Sequence, residues 1–335
     1  MTAFITSLPM WGLIVILILT LVLLTRAADI LVDHAIHLSR EAGISDVVVG
    51  ATVVALGTSL AEIAIAIFSL FQGVTDFSVG NATGSVITNM SVVLGVGALA
   101  GTIPVARHNL SRVQLLLTAS LLMIFVSSLT LMSGRGYIPR WVGIVFLLMI
   151  PGYLYLIIRQ NKADKAKRAG AAPVAEPERT HQPAWMHILW IIGAGLIIAV
   201  SANALVDSST EIAHQLNISD AIISATVVAL GTSFPELITA YYAAKGGFGG
   251  LALGNIIGAN VMNLLLVNGL TIAFSPATIY LPTVFYFVTF PALLLVLLLV
   301  GWFIIDGSRD EIDNKEGAVL VIVYLVYVAA YVVAL

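Results

Sequence analysis

Long apolar runs separated by short polar turns set the pattern of this chain. About 20 apolar residues suffice for a helix to cross a hydrocarbon core of about 30 Å. Ten stretches qualify: 9–38, 46–70, 79–100, 114–132, 139–158, 185–213, 220–244, 250–272, 284–305 and 317–334. The pattern predicts an all-α polytopic membrane protein with ten transmembrane helices. The one long polar stretch, 159–184, is rich in Lys, Ala and Pro. It reads as a linker between two five-helix halves, 1–158 and 185–335. No Lys or Arg precedes the first run, so that run lacks the basic start of a cleaved signal peptide and reads as a retained span.

Composition excludes the alternatives. Of 335 residues, 59% are hydrophobic and 10% charged, against about 25% charged in an average soluble domain. With no cysteine, disulfides and thiolate chemistry are out, and a net charge of −3 points away from a nucleic-acid partner. The basic residues fix an orientation. If the N-terminus is outside, Arg40, Arg107, Arg112, Lys245, Arg309, Lys315 and six linker residues face the cytoplasm. Only Arg135 and Arg140 fall outside, and Arg26 lies within the first span. The excess of basic residues on cytoplasmic loops therefore predicts both termini outside and a cytoplasmic linker; the expected location is the plasma (inner) membrane.

The two halves are copies. Ile44–Glu62 (ISDVVVGATVVALGTSLAE) and Ile218–Glu236 (ISDAIISATVVALGTSFPE) share 13 of 19 positions at an offset of 174. At that offset GNATGSVITN (80–89) lies over GNIIGANVMN (254–263). Five spans per copy is an odd number, so the second copy enters the membrane upside down. Inverted repeats around a midplane site are a transporter architecture.

The chemistry sits inside the spans. Glu62 and Glu236 fall near the middle of spans two and seven. An intramembrane carboxylate costs several kcal/mol unless it is paired or faces a wet cavity. Arg26 cannot neutralise both; a bound cation can. Gly57 and Gly231 weaken the helices before each Glu, and Thr58, Ser59, Thr232 and Ser233 offer hydroxyl oxygens. Pro235 removes an amide donor and frees a carbonyl near Ala229–Gly231. Asn81, Ser85 and Asn89 share one helical face, and Asn255 and Asn263 match two of them. Asn89 and Asn263 read as carboxamide ligands. Asn81 and Asn255 read equally as helix-to-helix hydrogen bonds. Glycines 80, 84, 254 and 258 predict close helix contact. Arg26 and Asp29, three residues apart, are placed to pair, and His34 and His37 read as interfacial.

GTSLAE with GNATGSVITN, and GTSFPE with GNIIGANVMN, resemble the two α-repeats of the cation/Ca2+ antiporter superfamily, whose best-known members are the Na+/Ca2+ exchangers. The motif regions are about 44–95 and 218–269. The resemblance implies a ten-helix, inverted-repeat fold around central cation sites. It places ligands on Thr58, Ser59, Glu62, Ser85, Asn89, Thr232, Ser233, Glu236 and Asn263, and on the carbonyls of Ala55 and Ala229. Ca2+ or Na+ would be held at Glu62 and Glu236. Three residues depart from the family pattern: Ala61 replaces a proline, Ala259 a serine ligand and Asn263 an aspartate. The site is left with two formal negative charges, matching one Ca2+ or two monovalent ions.

The expected function is secondary active antiport, with Ca2+ exported in exchange for Na+; H+ or K+ coupling is the alternative. A channel would need a continuous pore. Neither a His-Glu-x-x-His metalloprotease motif nor a phosphate-binding Gly-x-x-x-x-Gly-Lys-Ser/Thr motif is present, so neither proteolysis nor ATP is implied. No cofactor is expected beyond the transported ions, and the chain reads as a monomer.

Overall fold

The computed structural model describes residues 2–41, 59–105, 107–132, 134–167, 183–306 and 311–334. Helix α1 (Met10–Glu41) is followed by α2 (Leu60–Gln72), α3 (Thr75–Ala100), α4 (Arg107–Met132) and α5 (Arg140–Lys167). The second half has α6 (Ala184–Leu216), α7 (Asp220–Thr232), α8 (Phe234–Lys245), α9 (Gly249–Val261, continuing to Phe274), α10 (Phe285–Asp306) and α11 (Asn314–Ala334). Among the described residues, seven helices are long and apolar enough to cross a membrane, or eight if the bent pair α7–α8 is one span. Of the expected run 46–70, only α2 and the preceding Ser59 fall within the described residues. The run 139–158 appears as α5, apolar over Arg140–Tyr155.

The structure continues a helix into the expected linker 159–184. Helix α5 continues to Lys167, because no Gly or Pro interrupts 153–169 and Lys, Ala, Gln and Arg favour helix.

Two apolar clusters hold the helices. Leu13, Leu17 and Leu24 of α1 pack with Ala202, Leu205 and Val206 of α6 into one cluster. A larger one joins α3, α4, α9, α10 and α11 through Leu94, Leu116, Leu264, Leu297 and Leu320. Helix α3 lies inside, buried on nearly every face although it carries Asn81, Thr83, Ser85, Thr88 and Asn89. Its glycines allow this. A Cβ on Gly84 would stand 2.3 Å from the Ala225 carbonyl oxygen of α7, and one on Gly80 would stand 2.6 Å from that of Ala221. The partners that the repeat would give Gly254, residues 47 and 50, lie outside the described residues.

Two short ribbons close the ends. β1 (Ile103–Pro104) pairs with β4 (Glu311–Ile312), and β2 (Tyr137–Ile138) pairs with β3 (Ile279–Tyr280), both antiparallel. Helix α4 leads from β1 to β2 and α10 from β3 to β4, so the ribbons lie at opposite ends of the bundle. Tyr137 and Glu311 are 174 positions apart. Strands at the same repeat position thus stand at opposite ends.

Candidate functional site

Both central carboxylates sit in the first turn of a helix. Ser59 precedes α2 with φ −106° and ψ 12°, and Ser233 precedes α8 with φ −83° and ψ 0°. Glu62 and Glu236 lie in the first turns of these helices, 2% and 6% exposed. Helix starts carry unpaired N–H groups and a positive dipole end, which favour a carboxylate there. In the second repeat the chain bends by 40° between Thr232 and Phe234. Pro235 is at the first turn of α8, where its missing amide donor is tolerated. The break therefore falls at Ser233, two residues beyond the expected Gly231. Gly231 instead accommodates α1: a Cβ there would stand 2.5 Å from Leu21 Cδ1. In the first repeat, where Ala61 stands in place of proline, the residues before Ser59 lie outside the described residues.

Contacts link some of the expected site residues to these carboxylates and to one another. The Thr232 hydroxyl hydrogen-bonds the Glu62 carboxylate and lies 3.4 Å from Ser85 Oγ of α3. Glu236 feels the charges of Glu62 and Asp29. Asn89 opens a π-helical turn, Asn89–Val93, and Asn263 lies in another, Met262–Val267. Such turns are rare and concentrate at functional sites. Asn89 Nδ2 donates to Asn260 Oδ1 at 3.0 Å. The Ala229 carbonyl accepts the Ser233 amide at 3.1 Å and the Thr232 hydroxyl at 3.3 Å. In this structure it is engaged within its own turn. Ala55 and Thr58 lie outside the described residues.

The described residues hold fourteen buried side-chain oxygens without a hydrogen-bond partner; eight, such as Ser120 Oγ and Ser209 Oγ, belong to other residues, and six are Ser59 Oγ, Glu62 Oε2, Asn89 Oδ1, Ser233 Oγ, Glu236 Oε2 and Asn263 Oδ1. Each of these six belongs to a residue that the sequence assigns to the site. An unsatisfied buried group costs about 1–3 kcal/mol, more if charged. Six cost on the order of 10 kcal/mol, comparable to the whole net stability of a typical domain. No basic side chain acts on either carboxylate, and no three His, Asp or Glu converge among the described residues. The cluster is thus hydroxyl, carboxamide and carboxylate oxygen, the donor set of hard cations.

Sequence reasoning missed Asn260. Its repeat mate is Val86, so comparing the copies discards it, although it stands inside GNIIGANVMN. It also missed Tyr327, whose hydroxyl donates to the Ala225 carbonyl at 3.0 Å and props the π-helical turn Ser224–Val228 of α7. The expected Arg26–Asp29 pair does not form: the two feel each other's charge but make no ion pair among the described residues. Their i, i+3 spacing permits a contact without requiring one. Asp29 instead lines a cavity of about 90 Å3 with Glu236, Thr232, Thr25, Thr239 and Asn255.

Known proteins resemble this chain over most of its length. The profile of the sodium/calcium exchanger protein family matches residues 12–159 and 186–333. The inner membrane protein YrbG of Escherichia coli is 34% identical over 268 residues, covering 79% of this chain and 80% of its own. The sodium/calcium exchanger MaX1 of Methanosarcina acetivorans is 28% identical over 340 residues, covering 93% and 96%. Among solved structures, the sodium-calcium exchanger NCX_Mj soaked with 100 mM Na+ and 10 mM Sr2+ superposes with a TM-score of 0.61 at 28% identity, covering 96% of this chain and 99% of that one.

Proposed function

We propose that this chain, which belongs to the sodium/calcium exchanger family, exports Ca2+ in exchange for Na+ by alternating access at a midplane site. One observation carries the reading: buried, unpartnered oxygens surround two carboxylates that no basic side chain neutralises. Ca2+ takes 6–8 oxygen ligands. We draw them from a set of eleven residues shared between the sites for Ca2+ and Na+: Ser59, Glu62, Ser85, Asn89, Thr232, Ser233, Glu236 and Asn263, with Thr58 and the carbonyls of Ala55 and Ala229. Ala229 joins once the Thr232 hydroxyl turns from its carbonyl to the ion. Asn260 orients Asn89 by holding its amide nitrogen, which leaves Oδ1 for the cation.

Two negative charges balance one Ca2+ or two monovalent ions. Ala259 contributes no hydroxyl where many family members have serine, which favours two Na+ per Ca2+ over three. We read ten membrane-crossing segments in two inverted copies, 1–158 and 185–335. Strands at equivalent repeat positions lie at opposite ends of the bundle, which supports inversion. The β1–β4 end, with Arg107, Arg112, Lys245 and Lys315 near it, is the cytoplasmic one. Transport proceeds without ATP or catalytic chemistry in a monomer of the inner membrane, both termini outside. The test is Ca2+ flux in proteoliposomes with Na+, H+ or K+ gradients imposed in turn. Flux driven by Na+ supports the reading, flux driven only by H+ or K+ reassigns the coupling ion, and no driven flux removes the antiport reading.

A further inference from the structure

The small cavity beside Glu236 is more polar than its repeat counterpart. At 1.5 Å per residue, Glu236 lies about 14 Å from the Lys245 end of α8, and Asn255 about 9 Å from the start of α9. That junction touches β1: a Cβ on Gly249 would stand 2.0 Å from the Thr102 carbonyl oxygen. The cavity therefore lies on the β1–β4 side of the site. At about 30 Å3 per water, it has room for about three waters.

The positions 174 residues away lead toward the β2–β3 end and differ in kind. Asp29 corresponds to Asn203, Thr239 to Ile65, Thr25 to Ala199 and Asn255 to Asn81. Asn203 Oδ1 accepts a hydrogen bond from Gln72 Nε2 at 2.7 Å, which ties α6 to the end of α2. Ile65 and Asn81 are fully buried. One side thus has a carboxylate, two hydroxyls and a carboxamide around an open space. The other has the hydrogen-bonded amide of Asn203, the buried and unpartnered amide of Asn81 and apolar packing, with no carboxylate at the position of Asp29.

We infer that Asp29, with Thr25, Thr239 and Asn255, forms a second cation site on the β1–β4 side, an antechamber that holds a partly hydrated cation before it reaches Glu236. Two independent features point to a ligand there. Glu236 lines the cavity, is 6% exposed, and has an unpartnered Oε2. Asp29 makes no ion pair with Arg26 among the described residues and lines the cavity, whereas Arg26 does not. Arg26 faces, with Asp29, a larger and mainly apolar groove of about 590 Å3 between α1 and α7–α8. The ligand class is a hydrated monovalent or divalent metal cation. Because Asp29 has only a neutral repeat mate, the apparent affinity for cations is higher from the β1–β4 side.

This inference rests on the antiport reading, and the experiment separates the two. Initial Ca2+ and Na+ flux is measured from each side of oriented vesicles, with sidedness assigned by trypsin access to the basic residues of 159–184. A charge about 7 Å from the ion across water gives Asp29→Asn a half-saturating Ca2+ concentration about 7-fold higher, and a Na+ one about 3-fold higher. Both shifts are confined to the β1–β4 side, at unchanged maximal rate. Asp29→Glu restores the wild-type values. Equal shifts on both sides, a fall in maximal rate alone, or no shift at low ionic strength would overturn the antechamber. If Asp29→Asn does not insert, the wild type carries the test, because half-saturation from the β1–β4 side must rise more steeply with ionic strength. Equal slopes on the two sides overturn the inference. A wild type that exchanges no cation under any gradient removes the antiport reading instead.

Discussion

Replacing Gly84 with alanine probes how the site is spaced. The new Cβ would stand 2.3 Å from the Ala225 carbonyl oxygen and 2.7 Å from Ala225 Cα. Both are backbone atoms, so no side chain can swing aside. An ordinary contact begins near 3.4 Å, so α3 and α7 must part by about 1 Å. Ser85 follows Gly84 on α3, and its Oγ is 3.4 Å from Thr232 Oγ1. The same displacement opens that pair to about 4.5 Å, close to the limit of about 4.6–5.2 Å that one cation with metal–oxygen distances of about 2.3–2.6 Å can span. The two hydroxyls could then be shared only from nearly opposite sides of the ion, and one contact is weakened. Overpacking costs about 1–3 kcal/mol of stability. A contact weakened by about 1.4 kcal/mol lowers cation affinity about tenfold. The assays are Ca2+ flux against Ca2+ concentration and the melting midpoint in detergent. Gly193→Ala is the control, since nothing described lies within 4 Å of its Cβ. A Gly84→Ala protein with wild-type affinity and midpoint would refute the idea that this helix contact sets the site.

Three further outcomes are expected. Asn263→Asp adds a third negative charge beside two glutamates, where like charges disfavour ionisation; flux measured against pH should become steeper, and superimposable profiles would place position 263 away from the ions. Removing much of 168–182 while keeping a spanning connection should leave flux within about twofold, because the segment is polar and contributes no site residue; loss of flux in a correctly inserted protein would give it a direct role. The third concerns His34, which contacts His187 Nδ1 to Nδ1 at 2.8 Å and stacks on Trp190, with His37 and Asp33 close by. Burial first, then His187 and His37, hold the His34 imidazole below its ordinary value, against Asp33. A depressed value means the folded contact prefers the neutral ring. Its stabilisation is present above about pH 6.5 and is lost as pH falls through the lower folded value. The melting midpoint should drop on acidification in the wild type and less so in His34→Gln; equal pH dependence would contradict this.

Much of the site was legible because duplication marks it. Glu62 and Glu236 stand out as carboxylates recurring in an apolar run, and Ser59, Ser233, Asn89 and Asn263 follow from the same alignment. What the alignment hides is what the copies do not share. Asn260 faces Asn89 but stands opposite Val86 in the repeat, and Asp29 stands opposite Asn203. Contacts between distant elements, such as Tyr327 on the Ala225 carbonyl and Gln72 on Asn203, leave no local signature at either residue. The helix break is legible only approximately. Gly, Ser and Pro all weaken the helix there, and the sequence alone does not single out Ser233, the residue that leaves it.

The central claim is that two unneutralised carboxylates and the oxygens around them hold the transported ion. Equilibrium Ca2+ binding to purified protein, measured by calorimetry in Na+-free buffer for wild type, Glu62→Gln and Glu236→Gln, tests it most directly. The account predicts saturable Ca2+ binding in the wild type, displaced by Na+. It predicts that either substitution removes high-affinity binding while the melting midpoint in the absence of Ca2+ stays at or above the wild-type value, since a buried charge has been relieved. Wild-type Ca2+ affinity in either variant would contradict it.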